Sequence, residues 1–216
     1  WSVLAVGAHA GPCLNFTNVI YSNLGRKGPD HQGHGIRYGS VAHIGERHID
    51  MVVELRGDYY TYMPANANLN GRMGTFGRIN LRTGTSIDLM FKFYDAATGR
   101  PVTMKDIQLT FYNLGKPTSS TQKRLTLGEV DSFCLSEDTQ VAWLGQSSRL
   151  TLTSRALGTD EARPMSPFWM TPDQEQVSVS VVFKDVEKIP VHFEVTGPEH
   201  EQGQNLLFSC VPLRCN

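Results

Sequence analysis

Apolar and polar residues alternate along much of the central part of this chain. The clearest runs are residues 51–53, 87–93 and 107–111, and glycine-containing turns lie between them. A period of two residues is typical of strands that bury one face, and no helix of convincing length interrupts these runs. The pattern therefore predicts an all-β fold with little helix.

The pattern and the turn signals together predict ten short strands. They span residues 16–22, 35–41, 49–55, 86–94, 106–112, 140–144, 149–153, 176–183, 189–196 and 205–210. Ten short strands are too many for a small barrel and suit two packed sheets. We therefore predict a two-sheet β-sandwich of jelly-roll or Greek-key type. No repeat or linker divides the chain, so residues 1–216 are predicted to form a single domain.

One long passage, residues 158–174, has no strand pattern and contains three prolines. Its apolar side chains Phe168, Trp169 and Met170 are expected to pack across an open end of the sandwich. Because proline suits the first position of a helix, residues 171–174 are expected to open one helical turn.

The first twelve residues form an apolar N-terminal strand. Its large apolar residues are Trp1, Val3, Leu4 and Val6, and its Ala-His-Ala triplet also has the form of a signal-peptide cleavage site. These side chains need a surface on which to be buried. Two positions remain open, one in the domain's own sheet and one on the open sheet edge of a neighbouring copy. The second would make other copies of the chain its partners.

Charge and hydropathy exclude two classes of partner. The chain has 20 Lys and Arg against 21 Asp and Glu, a net charge of −1, and no basic cluster longer than two residues. A nucleic-acid-binding face would show a basic patch, so we expect no nucleic-acid partner. Mean hydropathy is −0.27, and no apolar run approaches 18 residues, so we expect no membrane span.

Two features predict an extracellular, secreted protein. The four cysteines, Cys13, Cys134, Cys210 and Cys215, are far apart and form no CxxC pair, so two disulfides are the simplest interpretation. All three pairings remain open, and four reduced, buried cysteines are the alternative. The second feature is the glycosylation sequon at Asn15. Glycosylation requires that Asn15 faces solvent while Phe16 faces the core.

Several glycine and turn motifs resemble those of a known family. They are Asn-Leu-Gly-Arg-Lys-Gly-Pro-Asp at residues 23–30, Gly-Ile-Arg-Tyr at 35–38, Phe-Gly-Arg-Ile-Asn-Leu at 76–81 and Gly-Gln-Asn-Leu-Leu-Phe at 203–208. The chain resembles secreted all-β domain proteins of uncharacterised function found in microalgae and related protists, over most of its length. The resemblance implies an extracellular sandwich domain and no particular chemistry. Arg26 stands where those proteins often have glycine, which argues against a strict need for glycine there.

Clusters of histidine and aspartate suggest metal sites, but each has a simpler explanation. His31, His34, His43 and His48 lie within eighteen residues, and imidazole is a good ligand for zinc or copper. Aspartates lie near predicted strand ends at positions 30, 50, 95, 106 and 131, where sandwiches often bind calcium. Loop histidines facing solvent and aspartates that stabilise turns are the favoured interpretation. We predict no metal and no other cofactor.

The densest aromatic patch is formed by Tyr59, Tyr60 and Tyr62, and three asparagines follow it at positions 66, 68 and 70. Aromatic rings beside amide side chains are typical of carbohydrate sites. Alternation places Tyr60 and Tyr62 on one side of a strand and Tyr59 on the other, so part of the cluster is expected in the core. Glycans are therefore predicted as candidate partners.

The sequence has none of the common catalytic motifs, neither a Gly-x-Ser-x-Gly elbow nor a His-Glu-x-x-His zinc site. We therefore predict that the protein is not an enzyme. The favoured hypothesis is an extracellular structural glycoprotein that self-assembles into a fibre, sheath or wall as a homo-oligomer or filament. The alternative is a carbohydrate-binding module that uses the tyrosine-rich loop.

Overall fold

The computed structural model describes residues 11–58, 61–146, 149–155, 164–198 and 203–213. The strands in this part of the chain are β1 (Val19–Ser22), β2 (Gly35–Ile44), β3 (Arg47–Leu55), β4 (Gly71–Met73), β5 (Phe76–Leu81), β6 (Thr85–Asp95), β7 (Ile107–Tyr112), β8 (Gln122–Gly128), β9 (Ser132–Cys134), β10 (Val141–Gln146), β11 (Arg149–Ser154), β12 (Val179–Phe183), β13 (Lys188–Thr196) and β14 (Gln204–Ser209). One short helix, α1 (Pro172–Gln176), and the 3-10 turns Leu24–Arg26 and Ala67–Leu69 are the helical elements described.

The strands form two antiparallel sheets. The larger has the order β1-β2-β3-β6-β13-β8-β11-β10, and the smaller has the order β4-β5-β14-β7-β12-β9. Strands distant in sequence lie side by side, as β6 and β13 do, so the chain crosses repeatedly between the sheets. The prediction of an all-β, two-sheet sandwich is confirmed.

One hydrophobic core fills the space between the sheets. Strand β6 shows how a strand contributes to this core. Its residues Ile87, Leu89, Phe91 and Phe93 are buried, and the residues between them point away from the core. At the centre, the Phe208 ring lies 5.0 Å from that of Phe16 and 5.1 Å from that of Phe91. Such aromatic contacts add to the free energy gained by burying apolar area.

The outer faces of the two sheets differ. The outer face of the smaller sheet carries a second apolar cluster of Phe76, Tyr112 and Leu207, against which Met170 packs. The outer face of the larger sheet carries cross-strand ion pairs, including Lys92 to Glu54 at 2.6 Å. The open, polar face of the larger sheet is therefore the broad surface available to ligands.

The sequence pattern missed four strands, β4, β5, β8 and β9. Strand β5 is buried on both faces along most of its length, so its residues do not alternate in polarity. Strand β8 reads as polar because it contains the buried Lys123, and β4 and β9 have three residues each. The predicted strand 176–183 begins only at Val179, because helix α1 continues to Gln176.

The predicted helical turn after Thr171 is confirmed. The Thr171 side chain accepts a hydrogen bond from the backbone N–H of Gln174, whose side chain in turn accepts from the backbone N–H of Thr171. This capping box and the proline at the start of the helix explain why the turn forms there. No helix in the described ranges is long and apolar enough to cross a membrane.

Candidate functional site: a cleft at the strand ends

A shallow cleft of about 660 Å³ opens where β3 ends, β6 begins and β13 ends. Its lining comprises Leu55, Arg56, Thr61, Gly84, Thr85, Ser86, Ile87, Asp88, Glu194, Val195, Thr196 and Gly197. Most of these side chains are polar, because the residues of β6 and β13 that face away from the core reach into it. We call this site the strand-end cleft.

Two carboxylates give the strand-end cleft its charge. Oδ1 of Asp88 lies 2.9 Å from Nδ1 of His192, which is directly opposite on β13. Oε2 of Glu194 accepts a hydrogen bond of 2.6 Å from Nη1 of Arg124 on β8. Each pair engages one carboxylate oxygen and so restricts the orientation of the carboxylate group.

Hydroxyl groups and one cation complete the polar lining. Thr61 donates its hydroxyl proton to the carbonyl oxygen of Asp58 at 2.7 Å, and Thr85 donates to that of Arg82 at 2.7 Å. The backbone N–H of Arg56 donates to the carbonyl of Asp88, which places the exposed Arg56 beside the carboxylates. The lining thus combines carboxylate and hydroxyl acceptors with the guanidinium donors of Arg56, a combination that suits a hydroxyl-rich ligand.

The prediction that Tyr62 offers its ring to a carbohydrate is wrong. The residue is 1% exposed, and its hydroxyl donates to the carbonyl oxygen of Asn80 at 2.9 Å and accepts from Nδ2 of Asn70 at 2.7 Å. Burial raises the pKa of the Tyr62 hydroxyl well above its usual range. Tyr59 and Tyr60 lie outside the described residues, and the next residue of the chain, Thr61, lines the strand-end cleft.

The asparagines after this loop stabilise the backbone. Oδ1 of Asn70 accepts from the backbone N–H of Asn80, and Oδ1 of Asn80 accepts from that of Asn66. The Asn66 side chain accepts a hydrogen bond from the backbone N–H of Asn68 and so caps the start of the 3-10 turn Ala67–Leu69. The network anchors this loop to β5.

A second surface feature is an aromatic ledge formed by Met165, Phe168 and Trp169. These side chains are 84%, 63% and 84% exposed, so the expectation that Phe168 and Trp169 pack across an end of the sandwich is wrong. Only Met170 packs inward, against the apolar cluster on the smaller sheet. Pro164 and Pro167, which precede the exposed rings, are buried. The rings therefore lie between the buried Pro167 and the inward-packing Met170.

The histidines do not converge on one site. His43 and His48 are cross-strand neighbours with ring centroids 4.3 Å apart, whereas Nδ1 of His34 accepts from Nε of Arg26. Asp50 pairs with Arg37 at 2.7 Å, and Asp95 accepts three hydrogen bonds within its own turn. Among the described residues, no three His, Cys, Asp or Glu side chains are grouped so that they could hold a metal ion.

The sequon lies two residues after Cys13, one of the disulfide-bonded cysteines. Cys13 and Cys210 form a disulfide, and Cys134 is also disulfide-bonded, whereas Cys215 lies outside the described residues. Asn15 is exposed while Phe16 is completely buried, as glycosylation would require. Oδ1 of Asn15 accepts from both the backbone N–H and the hydroxyl of Thr17.

The residues predicted to mediate assembly, Trp1, Val3, Leu4 and Val6, lie outside the described residues. Sequence reasoning also missed Arg56, Asp88 and Glu194. Alternation along residues 86–92 and 192–196 does predict that Asp88 and Glu194 face away from the core. The sequence gives no signal that β13 inserts between β6 and β8, which brings these side chains together.

The comparisons with known proteins concern the fold. No protein-family model matches the chain, and no curated protein matches it. The N-terminal domain of the Streptococcus gordonii adhesin Sgo0707 is similar over 81% of this chain and 45% of that one, with a TM-score of 0.52 and 6% identity. The glucan-binding protein C of Streptococcus mutans overlaps 83% of this chain and 59% of that one, with a TM-score of 0.46 and 10% identity. This chain thus spans about half the length of these two structures.

Proposed function

We propose that the protein is an extracellular, non-enzymatic domain that binds a glycan in the strand-end cleft. The observation that carries the proposal is the cleft itself, with Asp88, Glu194, Arg56 and threonine hydroxyls around one shallow opening. Sugars present several hydroxyl groups in a fixed geometry. Carboxylates and cations already oriented by neighbouring strands can bind these hydroxyls without a large loss of side-chain entropy.

A non-enzymatic role is supported by where these carboxylates lie. A glycosidase needs one carboxylic acid in apolar surroundings to protonate the leaving group. Asp88 and Glu194 instead lie on an open sheet face beside the cationic or hydrogen-bonding partners His192 and Arg124. Such an arrangement suits binding better than proton transfer.

Two observations support an extracellular location. The disulfide between Cys13 and Cys210 is of a kind that persists in oxidising compartments. A solved structure with a similar fold belongs to an adhesin. We also propose that the chain belongs with the secreted β-domain proteins of microalgae and related protists, and that Asn15 is glycosylated. Intact mass before and after enzymatic removal of N-glycans tests the last point, with Asn15→Gln as the negative control.

The cleft is tested by screening the purified protein on a glycan array and titrating the best ligand by calorimetry. Asp88→Ala should weaken binding about tenfold or more, because an oriented charged acceptor is lost. Asp131→Ala is the matched control, since Asp131 also forms an ion pair, with Lys184 at 3.1 Å, but lies outside the cleft. Tyr60→Ala tests the loop next to Thr61.

Trp169→Ala separates the two candidate surfaces in the same titration. Unchanged affinity with Trp169→Ala, together with loss in Asp88→Ala, supports the strand-end cleft. Loss of binding in Trp169→Ala alone would move the site to the aromatic ledge, where stacking on exposed rings would replace hydrogen bonding. No binding by the wild-type protein to any glycan would refute the proposal.

A second candidate function is self-assembly, as a structural subunit of a fibre, sheath or wall. One observation favours it: the edge strand β10 of the larger sheet exposes apolar side chains, with Trp143 42% and Leu144 77% exposed. Light scattering on the full chain over a range of concentrations tests this role. A monomer at every concentration would refute it without affecting the glycan proposal.

A further inference from the structure

Strand β10 is an edge strand that is capped only at its first residue, where the Val141 backbone N–H donates to Oγ1 of Thr139 at 3.1 Å. It ends the larger sheet and pairs on one side with β11, and no other strand of the described ranges pairs with its other side. Edge strands usually carry a lysine, a proline or an inward charge that blocks further pairing. The sequence of β10, Val-Ala-Trp-Leu-Gly-Gln, has no proline and no charged residue.

The other three sheet edges are less suited to pairing. Strands β4 and β9 have three residues each, which is too short to hold a partner strand. At β1, the Ser22 backbone N–H donates to Oδ2 of Asp30 at 2.6 Å, and the Ser22 carbonyl accepts from the Asp30 N–H at 2.9 Å. Asp30 thus occupies the end of an edge that has only four residues. Strand β10 has six residues, of which the first is capped by Thr139, so it is the edge on which a partner strand would fit.

The backbone of β10 shows which groups are directed outward. The backbone N–H of Arg155 donates to the carbonyl of Gln140, so this carbonyl faces β11, whereas the N–H of Gln140 donates to the carbonyl of Gln176. Backbone groups alternate in direction along an antiparallel strand. Ala142 and Leu144 therefore also face β11, whereas the backbone groups of Val141, Trp143 and Gly145 face the open side, where the Val141 N–H already donates to Oγ1 of Thr139.

The side chains of β10 are complementary in size about Trp143. When two such strands pair antiparallel with Trp143 opposite itself, Leu144 stands opposite Ala142, and Val141 stands opposite Gly145. On either side of the Trp143 pair, each larger side chain then meets a smaller one on the same face. Gly145 has a backbone φ of 117°, which itself calls for glycine. The size argument therefore rests on Ala142 and Leu144.

We infer that β10 pairs antiparallel with β10 of a second copy of this chain, with Trp143 opposite the partner's Trp143. This inference rests on the second candidate function, self-assembly, and names its surface. The two larger sheets join into one continuous sheet across a two-fold axis, as isologous interfaces require. Leu144 packs against the partner's Ala142 on the outer face, and Trp143 packs at the rim, where its ring lies 5.3 Å from that of Phe133.

Sedimentation equilibrium of the full chain tests the surface. The wild-type protein should show a concentration-dependent dimer, and Leu144→Lys should raise its dissociation constant at least about tenfold, because a buried apolar contact becomes a charge. Met165→Lys is the matched control, since Met165 is equally exposed but lies on the aromatic ledge. Both variants should keep the wild-type melting temperature at concentrations where the chain is monomeric, because both side chains face solvent in the monomer.

Cysteine cross-linking tests the register. Residues 142 and 144 form a non-hydrogen-bonded pair across the axis, with Cα atoms about 4.5 Å apart, which lies within the range that disulfides span. Ala142→Cys mixed with Leu144→Cys should therefore cross-link under mild oxidation. Either variant alone should cross-link far less, because each position would face the unmodified residue of its partner.

The outcomes separate this inference from the function on which it rests. A wild-type chain that is monomeric at every concentration refutes both self-assembly and the β10 interface. A dimer that survives Leu144→Lys, or that cross-links equally in the mixture and in the single variants, refutes the β10 interface alone. A dimer that Leu144→Lys weakens and that cross-links only in the mixture supports the pairing and its register.

Discussion

At the scale of single residues, polar side chains in this protein mostly stabilise turns. The turn after β6 is the clearest case. Oδ1 of Asp95 accepts from the backbone N–H of Thr98 at 2.8 Å, from the Thr98 hydroxyl at 3.0 Å and from the backbone N–H of Ala97 at 3.1 Å. These bonds, those from Thr98 first, lower the pKa of the Asp95 carboxyl. Residues that resembled calcium ligands in the sequence thus act as turn acceptors.

The stabilising effect of Asp95 should therefore depend on pH. A lowered pKa in the folded state means that the carboxylate stabilises the fold above the ordinary carboxyl pKa, about 4, and that this contribution is lost as the pH falls through the lowered value. Asp95→Asn keeps the acceptor oxygen but not the charge. Urea unfolding at several pH values should show wild type more stable than the variant at neutral pH, with the difference vanishing in acid. A difference that does not change with pH would contradict the assignment.

A second prediction concerns Arg26, which stands where the proteins that this chain resembles often have glycine. Its φ of 60° lies in the left-handed region, so the position suits glycine, although an arginine occupies it. Arg26→Gly should raise the free energy of unfolding by up to about 1 kcal/mol, because glycine adopts this φ without strain. Loss of the hydrogen bond from Arg26 to His34 makes this gain smaller.

Gly74 provides the converse control for Arg26. It has a φ of 59°, and an added Cβ would meet no atom within 4 Å. Gly74→Ala should therefore lower the free energy of unfolding by about 1 kcal/mol from backbone strain alone. Chemical denaturation of both variants measures the two effects, and a destabilised Arg26→Gly would mean that the side-chain contacts of Arg26 outweigh the strain.

At the scale of elements, alternation located the strands that bury one face, and it failed where the burial pattern changes. Strands β6 and β13 alternate along their length and were found. Strand β5, covered on both faces, was missed. The aromatic residues of 168–170 were misplaced because their apolar character suggested burial, whereas the fold exposes Phe168 and Trp169.

The disulfide between Cys13 and Cys210 joins the segment before β1 to the residue after β14. The two cysteines are separated by 197 positions, so the bond restricts most of the unfolded chain. Replacing both by serine should lower the free energy of unfolding by about 2–5 kcal/mol. The large core between the sheets should still allow the variant to fold.

Denaturation midpoints and far-UV circular dichroism measure this effect. A wild-type protein treated with reductant is a less suitable control than the double variant, because reduction also affects Cys134, which is disulfide-bonded as well. A variant as stable as wild type would mean that the unfolded chain gains little freedom when the bond is lost.

At the scale of the whole molecule, the open face and edges of the larger sheet decide what the protein can contact. The smaller sheet has an apolar cluster and chain segments on its outer face, whereas the larger sheet exposes ion pairs, the strand-end cleft and β10. The proposed glycan site and the proposed β10 interface lie in different parts of this sheet, so the two proposals are compatible in one molecule.

Deleting residues 1–10 distinguishes two modes of assembly. If β10 pairs with β10, the truncated chain should retain the dissociation constant of the wild-type dimer, because the interface contains no residue of this segment. If Trp1, Val3, Leu4 and Val6 dock on a neighbouring copy, the truncated chain should be folded and monomeric. Sedimentation equilibrium measures the difference, and an unfolded product would show that the segment belongs to its own sheet.

The sequence by itself determined the fold class, the strands that bury one face and the capped helical turn at Thr171. These features depend on residues close together in the chain, because side-chain alternation and capping are local. Only the tertiary structure decided the pairing of Cys13 with Cys210, the burial of Tyr62, the exposure of Trp169 and the meeting of Asp88 with Glu194. These depend on which distant strands become neighbours, and that is set by the packing of the two sheets as a whole.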